Sequence, residues 1–165
     1  MERINHNIEP LYDRNSRILI LGSFPSVKSR EMRFFYGHPQ NRFWRVIAAL
    51  TDYPVPHTIE DKKKMLHENH IALWDTIASC EIEGSSDSSI KGVVPNNLNI
   101  ILEIASIQAV YCNGSKSYEL YHKYCEKQTG MPAFKLPSTS PANAACSLDR
   151  LIKEWSVIMD RLRAV

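Results

Sequence analysis

The amino-acid sequence predicts an α/β layer protein built around a mainly parallel sheet. Three observations predict it. Four short apolar segments, "RILILG" (17–22), "IALWDTI" (71–77), "AVYC" (109–112) and "AFKLP" (133–137), have strand length. Helical patterns lie between them, the alternation from which parallel sheets are made. The first segment is a run of Ile and Leu without polar alternation, as expected of a strand buried on both faces, so it is placed centrally.

The helices follow from periodicity and start signals. The first long one is expected from near Asn41 through Phe43, Trp44, Val46, Ile47 and Leu50, whose spacing gives a wide apolar face. A second runs from about Thr58 to Asn69, with Glu60 and Asp61 in its first turn. "PNNLNIILEIA" is a third, with Pro95 and Asn96 as start signals, and "SKSYELYHKYCEKQ" a fourth. The last, "SLDRLIKEWSVIMDRLR", is capped by Ser147 and buries Leu148, Leu151, Trp155, Ile158, Met159 and Leu162. The polar, glycine-bounded stretch 81–92 reads as an exposed connection.

With 165 residues, 44% of them hydrophobic, the chain is expected to form one well-buried domain over 1–165. A net charge of +2 is too mild to mark a nucleic-acid binder, although Lys28, Arg30, Arg33, Arg42 and Arg45 bunch locally. Cys80, Cys112, Cys125 and Cys146 are widely spaced, which favours reduced thiols over disulfides or a metal site. No apolar run approaches membrane-spanning length, and the polar start is unlike a signal peptide, so an intracellular, cytoplasmic protein is expected.

In an open parallel sheet, ligands bind beyond the carboxyl ends of the strands. The loops there are "GSFPSVKSRE", "DTIASC", "NGSKSYE" and "PSTSPANAACS", most of them rich in small hydroxyl residues. A phosphate loop, a dinucleotide GxGxxG and a hydrolase GxSxG are all absent. The six histidines show no metal-ligand spacing.

Taken together and in order, "LGSFPSVKSRE", "FFYGHPQNRFWRVI", "ALWDTI", "NGSKSYELY" and "LPSTSPANA" resemble the uracil-DNA glycosylase superfamily, most closely its hypoxanthine-DNA (deoxyinosine) glycosylase branch, from about Leu19 to Ala144. The resemblance implies a three-layer α/β/α fold with a central four-stranded, mainly parallel sheet. It also implies a monofunctional glycosylase that flips a deaminated base out of DNA and hydrolyses its bond to deoxyribose, with no cofactor. DNA carrying such a base is the expected partner, approached by a monomer, and no iron–sulfur cluster is expected.

The branch motif HPxNxFW places its catalytic asparagine at Asn41, where an amide can orient water and help bind the base without a shifted pKa. Asn41 also suits a helix N-cap, and the two uses can coexist. Relatives in other branches carry an Asp or Asn near Ser23 or Phe24; this chain has no water-activating side chain there.

Gly22, Ser23, Phe24 and Pro25 are expected to form the turn that admits the base, with Phe24 either stacking on it or packing in the core. Tyr36 and Phe35 are further candidates for the pocket, and His38 for the pocket, a phosphate or a turn. Asn113 is a candidate base reader, with Gly114, Ser115 and Lys116 beside the DNA backbone. Ser138, Thr139 and Ser140 match the loop that pinches the backbone, and Asn143 stands where Ala142 is too small to fill a vacated stack. Lys28, Arg30, Arg33 and Arg42 are expected to meet phosphates. Asp75 is read as structural. A mismatch uracil or thymine glycosylase, and a DNA-lesion or nucleotide-binding module without catalysis, remain the alternatives.

Overall fold

The computed structural model describes residues 2–163. Its main sheet contains β2 (Ile18–Gly22), β3 (Ile71–Asp75), β6 (Ala109–Asn113) and β7 (Ala133–Leu136), all parallel in the order β3-β2-β6-β7. These are the four segments read from the sequence. Ile18, Leu19, Ile20 and Leu21 are fully buried, which explains why the central strand shows no alternation.

Helices flank this sheet: α1 (Val27–Met32), α2 (Phe43–Thr51), α3 (Ile59–Glu68), α4 (Asn99–Leu102), α5 (Ser115–Tyr124), α6 (Glu126–Thr129), α7 (Leu148–Trp155) and α8 (Ile158–Arg163). Four expectations about them need correction. The first long helix begins at Phe43, and Asn41 acts just before it: its Oδ1 accepts the Phe43 amide at 2.9 Å. The third shrinks to one turn, because Pro95 belongs to a strand. The fourth breaks at Cys125, a buried residue between α5 and α6, and the last breaks between Trp155 and Ile158. Helix α1, which the sequence reading missed, has exposed Val27 and Met32 and no apolar stripe; Ser26 caps it, accepting the Ser29 amide at 3.2 Å.

The larger correction is a second sheet, of β1 (Arg3–Asn5), β4 (Ile77–Glu81) and β5 (Lys91–Pro95), antiparallel in the order β1-β4-β5. The run "IALWDTI" therefore spans two strands: β3 stops at Asp75 and β4 starts at Ile77. The Thr76 and Ile77 amides still bond Gly22 and Ser23 carbonyls at 2.9 and 3.1 Å, so the chain peels away gradually. Stretch 81–92 is also more than a connection, since it holds a 3-10 turn (Asp87–Ser89) and the start of β5.

These registers align the strand ends. Gly22 pairs with Asp75, Leu21 with Cys112, and Asn113 with Leu136, so Asp75, Gly22, Asn113 and Leu136 form one row across the sheet. The small sheet brings the amino-terminal segment to one end of that row, where the His6 amide bonds the Ala78 carbonyl at 2.7 Å.

Candidate active site

A cavity of about 360 Å³ opens over this row. It has room for a single nucleobase and not for a duplex. Its lining includes every residue expected of the base pocket: Gly22, Ser23, Phe24, Pro25, Tyr36, His38 and Asn113, together with Phe35. Ser138, Thr139 and Ser140 close it from the loop after β7. Sequence reasoning missed Ser85 and Asp87 from the 81–92 stretch, and treated Asp75 as structural.

Asp75 is buried, and its Oδ2 lies 2.8 Å from His6 Nε2. The Ile8 amide donates to His6 Nδ1 at 3.3 Å, so the ring hydrogen sits on Nε2 and is donated to Asp75. This bond fixes the carboxylate's orientation and occupies one oxygen. The other, Oδ1, lies against Gly22: a Cβ built there would sit 2.4 Å from it and 3.1 Å from the Tyr36 hydroxyl. Glycine is required at position 22 because the carboxylate fills the space a side chain would take.

Tyr36 forms a wall. It takes a left-handed φ of 51°, stacks on Phe43 at 4.3 Å, and has its carbonyl held by Trp44 Nε1 at 3.2 Å. Its hydroxyl is buried and, among the described residues, finds no hydrogen-bond partner. Burial, and then the neighbouring Asp75, push its pKa well above the ordinary tyrosine value, so it remains a donor. Phe24 also lines the cavity, but packs edge-on against His6 and under the Arg30 guanidinium, so it serves the core as well as the pocket.

Asn41 stands behind the lining. Its Oδ1 accepts both the Phe43 amide and, at 2.8 Å, the Thr139 hydroxyl. Thr139, fully buried, in turn accepts from Asn113 Nδ2 at 3.0 Å and donates its amide to Asn113 Oδ1 at 3.0 Å. The Asn41–Thr139–Asn113 chain ties α2, the β6 end and the β7 loop together.

A second cavity of about 700 Å³ adjoins the first and shares Asp87, Ser138, Ser140 and Ala142 with it. Gly114, Ser115, Lys116 and Asn143 line it, with Lys135 and Arg150. Gly114 takes a φ of 97° and its missing Cβ would lie 3.2 Å from Ser138 Cβ, so the two loops meet only because position 114 is glycine. Asn143 donates to the Ser138 carbonyl at 3.0 Å, which makes it a brace of its own loop.

Two of the arginines expected at phosphates also hold loops within the protein. Arg42 donates to the carbonyls of Cys146, Ser140 (2.9 Å) and Asn143 (3.1 Å), and Arg30 to those of Pro25 (3.0 Å) and Gly84 (3.3 Å). Their hydrogen bonds fix loops in place. Lys28 is exposed and near Glu31, and Arg33 is an exposed left-handed C-cap of α1; neither lines the base-sized cavity or the groove beside it. Arg42→Met is therefore expected to destabilise the fold by about 3 kcal/mol, read as a lower Tm, because three carbonyls lose a charged donor. An unchanged Tm with weakened DNA affinity would instead restore the phosphate reading. The cysteines are free and buried, and burial pushes the thiols of Cys112 and Cys125 up to about 12 and about 11, which makes them poor nucleophiles.

The row of strand ends, the cavity over it and the hydroxyl-rich loops around it define an α/β/α protein with a candidate site at the carboxyl ends of its parallel strands. Residues 9–158 match the uracil DNA glycosylase superfamily, and the chain belongs to it. It is 34% identical over 157 residues to a hypoxanthine DNA glycosylase of Methanosarcina acetivorans, covering 94% of this chain and 98% of the relative. A hypoxanthine DNA glycosylase of Methanosarcina barkeri is 35% identical over 112 residues, covering 67% and 71%. The solution NMR structure of a candidate uracil DNA glycosylase from Methanosarcina acetivorans superposes with a TM-score of 0.81 at 32% identity, covering 96% of this chain and 98% of that one. Among the described residues, no helix is long and apolar enough to cross a membrane.

Proposed function

We propose that this protein is a DNA glycosylase that releases hypoxanthine from deoxyinosine, with the extruded base in the cavity over Gly22 and Asp75 and the DNA backbone along the adjoining groove. The observation that carries the reading is the fixed acceptor, Asp75 Oδ1, at the buried end of a base-sized pocket. Deamination converts the N1 lone pair of adenine into the N1–H of hypoxanthine. A carboxylate oxygen accepts that hydrogen, whereas adenine N1 offers it a lone pair and is repelled. The relatives named as hypoxanthine DNA glycosylases support the same substrate.

Tyr36 supplies a flat wall for the base and a protonated hydroxyl, suited to an acceptor atom of the purine. Asn113 stays a candidate reader, since each amide group keeps one further hydrogen-bonding position beyond Thr139. Asn41 serves the reaction by setting Thr139 and, through it, Asn113. Lys116, Ser115, Ser138 and Ser140 meet the phosphates, so affinity is expected to fall with salt.

Uracil carries an N3–H that the same carboxylate can accept, which favours it as a second substrate. The test is an excision panel on duplexes with one inosine, xanthine, uracil or mismatched thymine, each cleaved by alkali at the abasic site. Inosine is expected to be cut fastest. Cleavage confined to uracil would overturn the hypoxanthine assignment, and binding without any release would leave a lesion-binding module.

A further inference from the structure

The carboxylate of Asp87 sits at the boundary between the two cavities. Of the four residues they share, Asp87, Ser138, Ser140 and Ala142, it alone is titratable. If the base occupies one cavity and the backbone the other, the bond that joins them, and the deoxyribose C1′ it starts from, must cross this boundary. An acid beside a phosphate groove opposes DNA binding, so its presence needs a reason other than affinity.

The carboxylate is also aimed. The Ser23 hydroxyl donates to Asp87 Oδ1 at 2.9 Å, which fixes that oxygen and leaves Oδ2 for another partner. The loop that carries Asp87 is pinned beside it, with the Ser85 hydroxyl accepting the Val27 amide at 2.9 Å and the Gly84 carbonyl taking Arg30 at 3.3 Å. The residue is exposed, so water reaches it. Asn41, by contrast, has its oxygen engaged by two donors.

We propose that Asp87 is a catalytic residue that binds and deprotonates the attacking water. This rests on the glycosylase reading above. In the step, the C1′–N9 bond breaks and its electron pair leaves on the base. The water oxygen forms a new bond to C1′, the water proton passes to Asp87 Oδ2, and that proton then returns through solvent to the departing base. The negative carboxylate also faces the positive charge that gathers on the sugar. The groups around it are Ser23 from the loop after β2, Lys116 of α5 and Asp75 of β3. Partial burial of the carboxyl end raises its pKa above the ordinary aspartate value, opposed by Ser23 and Lys116 and reinforced by Asp75. A carboxylate shifted in that direction is a better base.

The alternative is that Asp87 only tethers its loop to Ser23. Asp87→Asn separates the two, because an amide oxygen still accepts from Ser23 while the base is lost. Single-turnover release of hypoxanthine is expected to fall about 100-fold, with Tm held and DNA affinity equal or tighter. Release within about threefold of wild type would overturn the proposal and leave the glycosylase reading standing; only failure of the wild-type protein to release any base of the excision panel would remove that reading. Ser23→Ala provides a second readout. Excision should fail on the acid side as Asp87 protonates, and loss of the Ser23 bond should move that limb to higher pH. An acid limb that does not move would count against Asp87.

Discussion

Asp75→Asn is expected to lower hypoxanthine release by roughly 10²- to 10⁴-fold while leaving the protein folded. The size of the effect comes from geometry. His6 offers an N–H to this side chain and nothing else, because its Nδ1 is occupied by the Ile8 amide. Asparagine must therefore turn its oxygen toward His6, and its NH₂ takes the place of Oδ1 against Gly22 and the pocket. A donor then meets the N1–H donor of hypoxanthine, so one hydrogen bond is lost and two buried donors are left facing each other. Because the His6 bond survives, Tm should change little. Single-turnover excision, DNA binding and thermal melting measured on the same preparation check this. Release within about threefold of wild type would show that the base is read elsewhere, with Asn113 the next residue to change.

The parts of this site that were legible in the sequence were those written in contiguous residues. The parallel strands could be read because a strand covered on both faces needs an unbroken apolar run, and the pocket loops could be read because they follow those strands directly. Helix breaks at Cys125 and after Trp155 were hidden, since each apolar stripe continues across its break. The small sheet was hidden too. Its central strand continues the run of β3, its first strand is three residues long, and β5 contains Gly92 and Pro95.

Two kinds of functional information were beyond sequence patterning. His6 is 69 residues from the carboxylate it orients, and no periodicity links them. The basic cluster was incomplete for the opposite reason: a charge is visible in the sequence but its partner is not. Arg30 and Arg42 read as phosphate ligands alone until the carbonyls that receive their hydrogen bonds give them a second task. Asp87 combines both problems, since it lies in a stretch with every mark of a solvent loop and gains meaning only from Ser23.

Asn41 carries the second large expected effect. Asn41→Ala is expected to reduce excision about 100-fold with DNA binding largely retained, and to cost about 1–2 kcal/mol of stability, because the Phe43 amide and the Thr139 hydroxyl both lose their acceptor. Asn41→Asp decides how the residue acts. A carboxylate still accepts from both donors, so if Asn41 works by holding Thr139 and Asn113 in place, the aspartate variant keeps most of the wild-type rate. If instead its NH₂ group donates to the departing base or the water, the aspartate variant fails as badly as alanine. The retained oxygen contacts favour the first outcome: both bonds the protein makes to this side chain end on Oδ1, so a substitution that keeps an oxygen there preserves the register of α2 against the β7 loop.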